Sequence, residues 1–180
     1  MSRLHTDSVS TATGQAAELF TAIAKAAGKV PNAYLAIGSN SPLALDAALK
    51  LDAALGKSSL SRKEIEAIKL AVSETNGCDY CVAAHTLMGR KAGLNDADMR
   101  AIRHGGATED ERLDVLAGFA REVVATRGTV PTETVDAVRA AGYTDQQVVD
   151  TLLVITSISF TNLFNRVNDT AVDFPAPPAA

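Results

Sequence analysis

The stretch from Glu66 to Gly93 reads EAIKLAVSETNGCDYCVAAHTLMGRKAG. Apolar residues recur at helical spacing on both sides of Asn76-Gly77, a pair of residues that favours turns. The stretch therefore predicts two helices joined by a tight turn. If the chain reverses there and the helices run antiparallel, Glu66 lies within about one helical turn of His85 on the neighbouring helix.

Helical spacing continues through nearly the whole chain, without the alternating pattern of a strand. A Ser or Thr followed three residues later by an acid or amide predicts helix starts at Ser61, Thr108 and Thr144. We therefore predict an all-α fold, a compact multi-helix domain in which one helical hairpin carries the site. The expected helices span residues 13–27, 32–38, 43–55, 62–75, 79–92, 96–104, 109–126, 133–141 and 145–167, and the last has a candidate break at Ser157–Ser159.

The short connections predict one domain over residues 13–174, preceded by a flexible N-terminus (1–12) and followed by a Pro- and Ala-rich tail (175–180). The N-terminus lacks the apolar run of a signal peptide. The apolar segment Val148–Phe160 is short for a membrane span and is interrupted by Ser and Thr. We therefore expect a cytoplasmic protein with no membrane partner.

Amino-acid composition also indicates which kinds of partner the protein is expected to bind. Hydrophobic residues make up 47% of the chain but aromatic residues only 4%, so much of the apolar surface belongs to small side chains that each bury little area. This favours burial of further area against a second copy of the chain. A net charge of −4 without a run of Lys and Arg argues against nucleic-acid binding.

Two cysteines, Cys78 and Cys81, stand near the start of the second helix of the hairpin. In a reducing compartment such a pair is more often catalytic or metal-binding than structural. The free amides and the dipole of a helix N-terminus favour the thiolate. His85 lies one turn beyond Cys81 on the same face and can exchange a proton with it. Glu66 can orient the imidazole and stabilise its protonated form.

Other interpretations of these residues stay open. The cysteines could be small buried hydrophobes, and His85 could be structural. Glu66 could be a solvated residue paired with Lys63 or Lys69, and Glu74 is a rival carboxylate. The spacing Cys-x2-Cys-x3-His also offers three zinc ligands, one fewer than a closed structural site uses.

Taken together, Glu66, Asn76-Gly77, the two cysteines and His85 form a motif. This motif resembles the core of the alkylhydroperoxidase D / carboxymuconolactone decarboxylase superfamily. Two further segments, Gly93-Leu94 and Phe160–Asn165, also fit the pattern of that superfamily. The resemblance covers residues 13–174. It implies an all-α AhpD-like domain that assembles as a homo-oligomer, either a trimer or a hexamer.

The resemblance also implies roles for the four residues. In the thiol-peroxidase branch the position matching Cys81 attacks the hydroperoxide and becomes a sulfenic acid, and the position matching Cys78 resolves it as a disulfide. Those matching Glu66 and His85 relay the proton. This chemistry needs no metal or bound cofactor, but it needs a hydroperoxide substrate and an external dithiol reductant.

One position departs from the best-known peroxidases, which carry a second histidine between the cysteines where this chain has Tyr80. A tyrosine at this position is common in the broader peroxidase-related branch, which the chain resembles in this respect. The sequence thus predicts a thiol-dependent hydroperoxide reductase or a related disulfide-exchange enzyme. The alternatives are a carboxymuconolactone decarboxylase-like enzyme and a non-catalytic, redox-responsive oligomer.

Overall fold

A computed structural model describes residues 2–178, so Met1, Ala179 and Ala180, the outermost residues of the predicted N-terminus and tail, lie outside the described residues. Over residues 2–178 the chain forms nine helices and no strand, which confirms the predicted all-α fold. The helices are α1 (Gly14–Ala27), α2 (Asn32–Asn40), α3 (Pro42–Leu55), α4 (Arg62–Thr75), α5 (Asp79–Lys91), α6 (Asp96–His104), α7 (Glu111–Ala125), α8 (Thr132–Ala140) and α9 (Asp145–Asn168).

Two of the three predicted helix starts are confirmed. Ser61 and Thr144 cap α4 and α9 with reciprocal hydrogen bonds between the cap and the third helical residue. The start predicted at Thr108 is wrong, because Asp110 caps the first turn of α7. The Thr108 hydroxyl instead donates to the carboxylate of Asp114, 2.7 Å away, and the helix begins two residues later than predicted.

The central helix is α4, which packs against α5, α6, α7 and α9. On one side Ile68 and Val72 join a large apolar cluster with residues of α7 and α9. On another side Leu70 packs in a second cluster with Met99 of α6. A third cluster, around Phe20, holds α1, α2 and α3 together. Since α4 is buried on nearly all sides, the side chains it carries are fixed firmly in place.

The predicted chain reversal lies between α4 and α5. Gly77 has a φ of 61°, in the left-handed region that glycine adopts without a steric penalty. The Gly77 amide donates to the Glu74 carbonyl and the Cys78 amide donates to the Ser73 carbonyl, both at 2.9 Å. These two bonds form a Schellman motif, which ends α4 and leaves Cys78 as the N-cap residue of α5.

The longest helix, α9, runs unbroken through the candidate break. Its hydroxyls are satisfied without interrupting the backbone ladder: Thr156 donates to the Leu152 carbonyl and Ser157 donates to Asp52. By length and composition alone, α9 is long and apolar enough to cross a membrane, so the expectation that this region is too short does not hold. One such helix is weak evidence for a membrane span, because core helices of soluble proteins share these features.

The segments flanking the helices are hydrogen bonded to them. The amides of Arg3 and Leu4 donate to the backbone and side-chain oxygens of Asn168, both at 2.8 Å. At the other end, residues 170–178 follow α9 without helical structure, and residues 173–175 line a cavity next to α5.

Candidate active site

The two cysteines are buried and have free thiols. The Cys78 thiol donates a hydrogen bond to the Cys81 sulfur, and this bond is the main reason that the pKa of Cys81 falls from 9.0 to about 6. Burial opposes the change, while His85 and the Asn165 amide reinforce it. The same hydrogen bond raises the pKa of Cys78. The two shifts therefore favour ionisation of Cys81 before Cys78.

Glu66 and His85 are in direct contact. Although the two residues lie 19 positions apart, the hairpin brings Glu66 Oε2 to 2.7 Å from His85 Nδ1. Because an ionised carboxylate can only accept, His85 Nδ1 carries the hydrogen and the Nε2 position remains for proton transfer. Lys63 and Lys69, the alternative partners of Glu66, form ion pairs with other carboxylates.

The rival carboxylate, Glu74, lies elsewhere. It pairs with Arg103 at 2.7 Å and lines a separate cleft together with Cys78 and Asp79. The structure therefore brings Glu66, rather than Glu74, to the histidine.

Cys81, His85 and Glu66 line one cavity of about 390 Å³. The cavity is large enough for a small organic molecule. Apolar and aromatic side chains make up much of its wall, among them Ile23, Tyr34, Leu87, Met88, Ile158 and Phe174. Cys78 is not among the residues that line this cavity.

Asn165 on α9 was missed as a site residue by the sequence analysis. Its Nδ2 donates to Cys81 Sγ at 3.4 Å, and its side chain also lines the cavity. The Asn165 Oδ1 atom is buried without a hydrogen-bond partner among the described residues. The available clue was the spacing of Asn162, Asn165 and Asn168, which repeats an amide every three residues on the buried face of an apolar helix.

A polar cluster also missed from the sequence forms another part of the wall. Asp52 of α3 accepts from Lys69 Nζ at 3.0 Å and from Ser157 Oγ at 2.9 Å. Although burial raises the pKa of Asp52, Lys69 outweighs that effect, and the net pKa lies below the ordinary value. The cluster gives one side of the apolar cavity a fixed ion pair.

Tyr80, which stands where the best-known peroxidases carry a histidine, has its hydroxyl fully engaged. The hydroxyl donates to Asp173 Oδ1 at 2.8 Å and accepts from the Ala33 amide at 3.1 Å. Burial raises the pKa of Tyr80, which therefore stays neutral. Its ring meets Phe174 edge-on, with centroids 5.5 Å apart. Tyr80 thus anchors the C-terminal segment and does not take the place of a titrating histidine.

For the zinc alternative, a metal site needs converging ligands. Among residues 2–178, no three His, Cys, Asp or Glu side chains are grouped as metal ligands would be.

The chain is similar in sequence to known proteins. The sequence profile of the carboxymuconolactone decarboxylase family matches residues 42–125, which include all four predicted site residues. The uncharacterized protein YdfG of Bacillus subtilis (strain 168) is 31% identical over 123 residues, covering 62% of this chain and 76% of that protein.

Solved structures share the fold. An uncharacterized peroxidase-related protein from Ralstonia eutropha with an alkylhydroperoxidase AhpD core has a TM-score of 0.85 at 22% identity, over 96% of this chain and 92% of that one. The debrominase Bmp8 in complex with 2,3,4-tribromopyrrole has a TM-score of 0.80 at 18% identity, over the same shares of the two chains.

Proposed function

The chain belongs to the carboxymuconolactone decarboxylase family of the alkylhydroperoxidase D superfamily, and on this premise we propose that it is a thiol-dependent hydroperoxide reductase. The family and the fold support a peroxidase-related or decarboxylase-like role. One observation supports the finer proposal: Cys81, whose pKa is lowered to about 6, lines the same cavity as the Glu66–His85 pair.

The first step oxidises Cys81. The Cys81 thiolate attacks the terminal oxygen of the hydroperoxide, an S–O bond forms, and the O–O bond breaks. The leaving alkoxide takes a proton from protonated His85 and departs as an alcohol. Glu66, in contact with His85 Nδ1, stabilises the imidazolium that donates the proton. The products are a sulfenic acid at Cys81 and a neutral His85.

The second step joins the two sulfurs. Cys78, one helical turn before Cys81, attacks the sulfenic sulfur, and water leaves as the disulfide forms. Because the Cys78 pKa is raised in the reduced protein, Cys78 stays a protonated thiol while Cys81 reacts. An external dithiol then reduces the disulfide, returning one proton to Cys78 and the other to His85. Such dithiols are available in a reducing compartment such as the cytoplasm, where we place the protein.

Steady-state turnover tests the proposal. Reduced protein is mixed with cumene hydroperoxide and dithiothreitol, and consumption of the peroxide is compared with that of the Cys78→Ser and Cys81→Ser variants. We expect turnover only with both thiols present. A redox-responsive protein that is not an enzyme would be oxidised once and then stop. A decarboxylase-like enzyme would instead retain activity on a carboxylated lactone in the absence of both thiols.

A second candidate is two-electron reduction of a halogenated aromatic compound. The observation that favours it is the size and apolar lining of the cavity beside the Cys81 thiolate. The Cys81 thiolate attacks the halogen, an S–Br bond forms as the C–Br bond breaks, and the ring carbon takes a proton from protonated His85. Cys78 then attacks the Cys81 sulfur and loses its proton, bromide leaves as the disulfide forms, and the dithiol reduces the disulfide. Release of bromide from 2,3,4-tribromopyrrole in the dithiothreitol assay, at a rate exceeding peroxide consumption, would favour this activity.

We also propose that the chain self-associates through the outer face of α9. The apolar residues Val149, Leu152, Phe160, Leu163 and Val167 are exposed there and recur at helical spacing, with Thr156 between them. A continuous exposed apolar stripe on one helix marks an interaction surface more often than scattered apolar residues do. A second copy of this chain would bury the stripe, and no other protein is then needed to cover it. The small side chains of the core favour the same conclusion, because each of them buries little area within one chain.

A further inference from the structure

A second cleft, of about 400 Å³, lies beside the candidate site and is lined by Cys78. Its other walls include the Glu74–Arg103 ion pair and residues of the C-terminal segment, Val172 and Phe174 among them. Cys81, His85 and Glu66 line the other cavity and not this cleft. Each of the two spaces thus reaches one cysteine of the pair.

The C-terminal segment separates the two spaces. Phe174 lines both of them. On one side Asp173 is held by the Tyr80 hydroxyl and by Lys29, whose Nζ lies 2.8 Å from Asp173 Oδ2. On the other side Arg103 Nη1 donates to the Pro178 carbonyl at 3.1 Å. The partition is therefore held at both ends by hydrogen bonds to the helical core.

We propose that the cleft lined by Cys78 is the binding site for the reducing dithiol, while the hydroperoxide reaches Cys81 through the cavity that Cys81 lines. This inference rests on the proposed function. Cys78 is only 2% exposed and lines this cleft but not the cavity, so the cleft is the approach to Cys78 that the structure offers a reductant. A small or slender dithiol fits a space of this volume.

The chemistry of exchange favours attack at Cys78. A thiolate of the dithiol attacks Cys78 Sγ, forming a mixed disulfide and breaking the bond to Cys81, which leaves as a thiolate. The second thiol then attacks the reagent sulfur of the mixed disulfide, which releases the oxidised reagent and frees Cys78. Two electrons pass from the dithiol to the protein; one proton ends on Cys78 and the other on His85. The lower pKa of Cys81 makes it the better leaving group.

Substitutions at two exposed residues can narrow the cleft and the cavity separately. Val172 lines the cleft but not the cavity, whereas Ala27 of α1 lines the cavity but not the cleft. Neither has a role in the proposed chemistry. The disulfide form is prepared with diamide, so its reduction by dithiothreitol can be measured even if the protein does not react with any hydroperoxide.

We expect Val172→Trp to slow reduction of the disulfide by about tenfold while changing the reaction of the reduced protein with cumene hydroperoxide by less than about twofold. Ala27→Trp should do the reverse, and Val172→Ala should leave both rates near those of the wild type. The inference is overturned if Ala27→Trp, and not Val172→Trp, slows reduction, or if Val172→Trp slows both steps equally or neither. Failure of the peroxide step in the wild type would instead overturn the proposed function.

Discussion

Asn165 Nδ2 lies 3.4 Å from Cys81 Sγ, although 84 residues separate the two along the chain. The amide of α9 thus contacts the sulfur of α5 directly, and α5 also carries His85. A hydrogen bond donated to a thiolate stabilises the charged form, so this contact is one of the reasons that the pKa of Cys81 is low.

Removing that amide should make Cys81 harder to ionise. Hydrogen bonds to charged groups contribute about 1.5–3 kcal/mol, so Asn165→Ala should lower the thiolate fraction of Cys81 at pH 6 by about tenfold. Titration of the ultraviolet thiolate absorbance measures this with Cys78 in place, since the raised pKa of Cys78 keeps that thiol protonated over the range titrated. Asn168→Ala is the control, since Asn168 is equally buried but bonds Leu4 and Thr170 instead. Equal pKa changes in both variants would show a general loosening of α9 and contradict the specific contact.

Glu66→Gln removes the charge that stabilises protonated His85 while keeping the size of the side chain. Since the positive charge of His85 lowers the pKa of Cys81, we expect that pKa to rise and the reaction with cumene hydroperoxide to slow, with the helical circular-dichroism spectrum unchanged. Stopped-flow kinetics measure the rate. Glu74→Gln is the matched control, because Glu74 pairs with Arg103 away from the histidine. The same rate loss in both variants, or no rate loss in Glu66→Gln, would show that Glu66 has no specific role in the reaction.

The pH dependence of the first step should follow ionisation of Cys81. With a pKa of about 6, the thiolate fraction rises as the pH increases through 6 and is nearly complete at neutral pH. The rate constant for oxidation by cumene hydroperoxide should therefore rise between about pH 5 and pH 7 and rise no further above that range, where ionisation of Cys81 is complete. A rate that keeps rising up to pH 9, the ordinary range of a free thiol, would contradict the lowered pKa.

If the apolar stripe on the outer face of α9 is an interface between copies of the chain, a charge placed in it should change the oligomeric state. Leu163, which is 66% exposed in the middle of the apolar stripe, is replaced by Glu, and the molar mass is measured by light scattering. We expect the wild type to be a trimer or hexamer and Leu163→Glu to dissociate toward monomer, because a charge in an apolar interface is costly. Leu43→Glu, on α3 and 73% exposed, is the control. A monomeric wild type would contradict the proposal.

Most of the helical framework could be predicted from the sequence, because the information is local. Ser61 and Thr144 mark helix starts by their own capping bonds, and Gly77 marks the reversal through its left-handed backbone. Once that reversal is fixed, the contact between Glu66 and His85 follows from helix geometry. Thr108 misled the prediction because a carboxylate six residues later takes its hydroxyl.

The opposite wall of the cavity could not be predicted, because it depends on how distant helices pack. Asn165 reaches Cys81 from α9, and Asp52 reaches the cavity from α3, through packing that no local spacing encodes. The separation of the cavity from the cleft depends on Asp173 and its bond to Tyr80, 93 residues earlier in the chain. Local sequence patterns indicated a C-terminal tail, but they did not indicate that this segment lies between the cavity and the cleft.

In the proposed reaction the hydroperoxide oxidises Cys81, and Cys78 resolves the product. The most direct measurement treats reduced Cys78→Ser and Cys81→Ser variants with one equivalent of cumene hydroperoxide in the presence of dimedone and locates the adduct by peptide mass spectrometry. We expect a dimedone adduct on Cys81 in Cys78→Ser and none on Cys78 in Cys81→Ser. An adduct on Cys78 together with an unreactive Cys81 would contradict it.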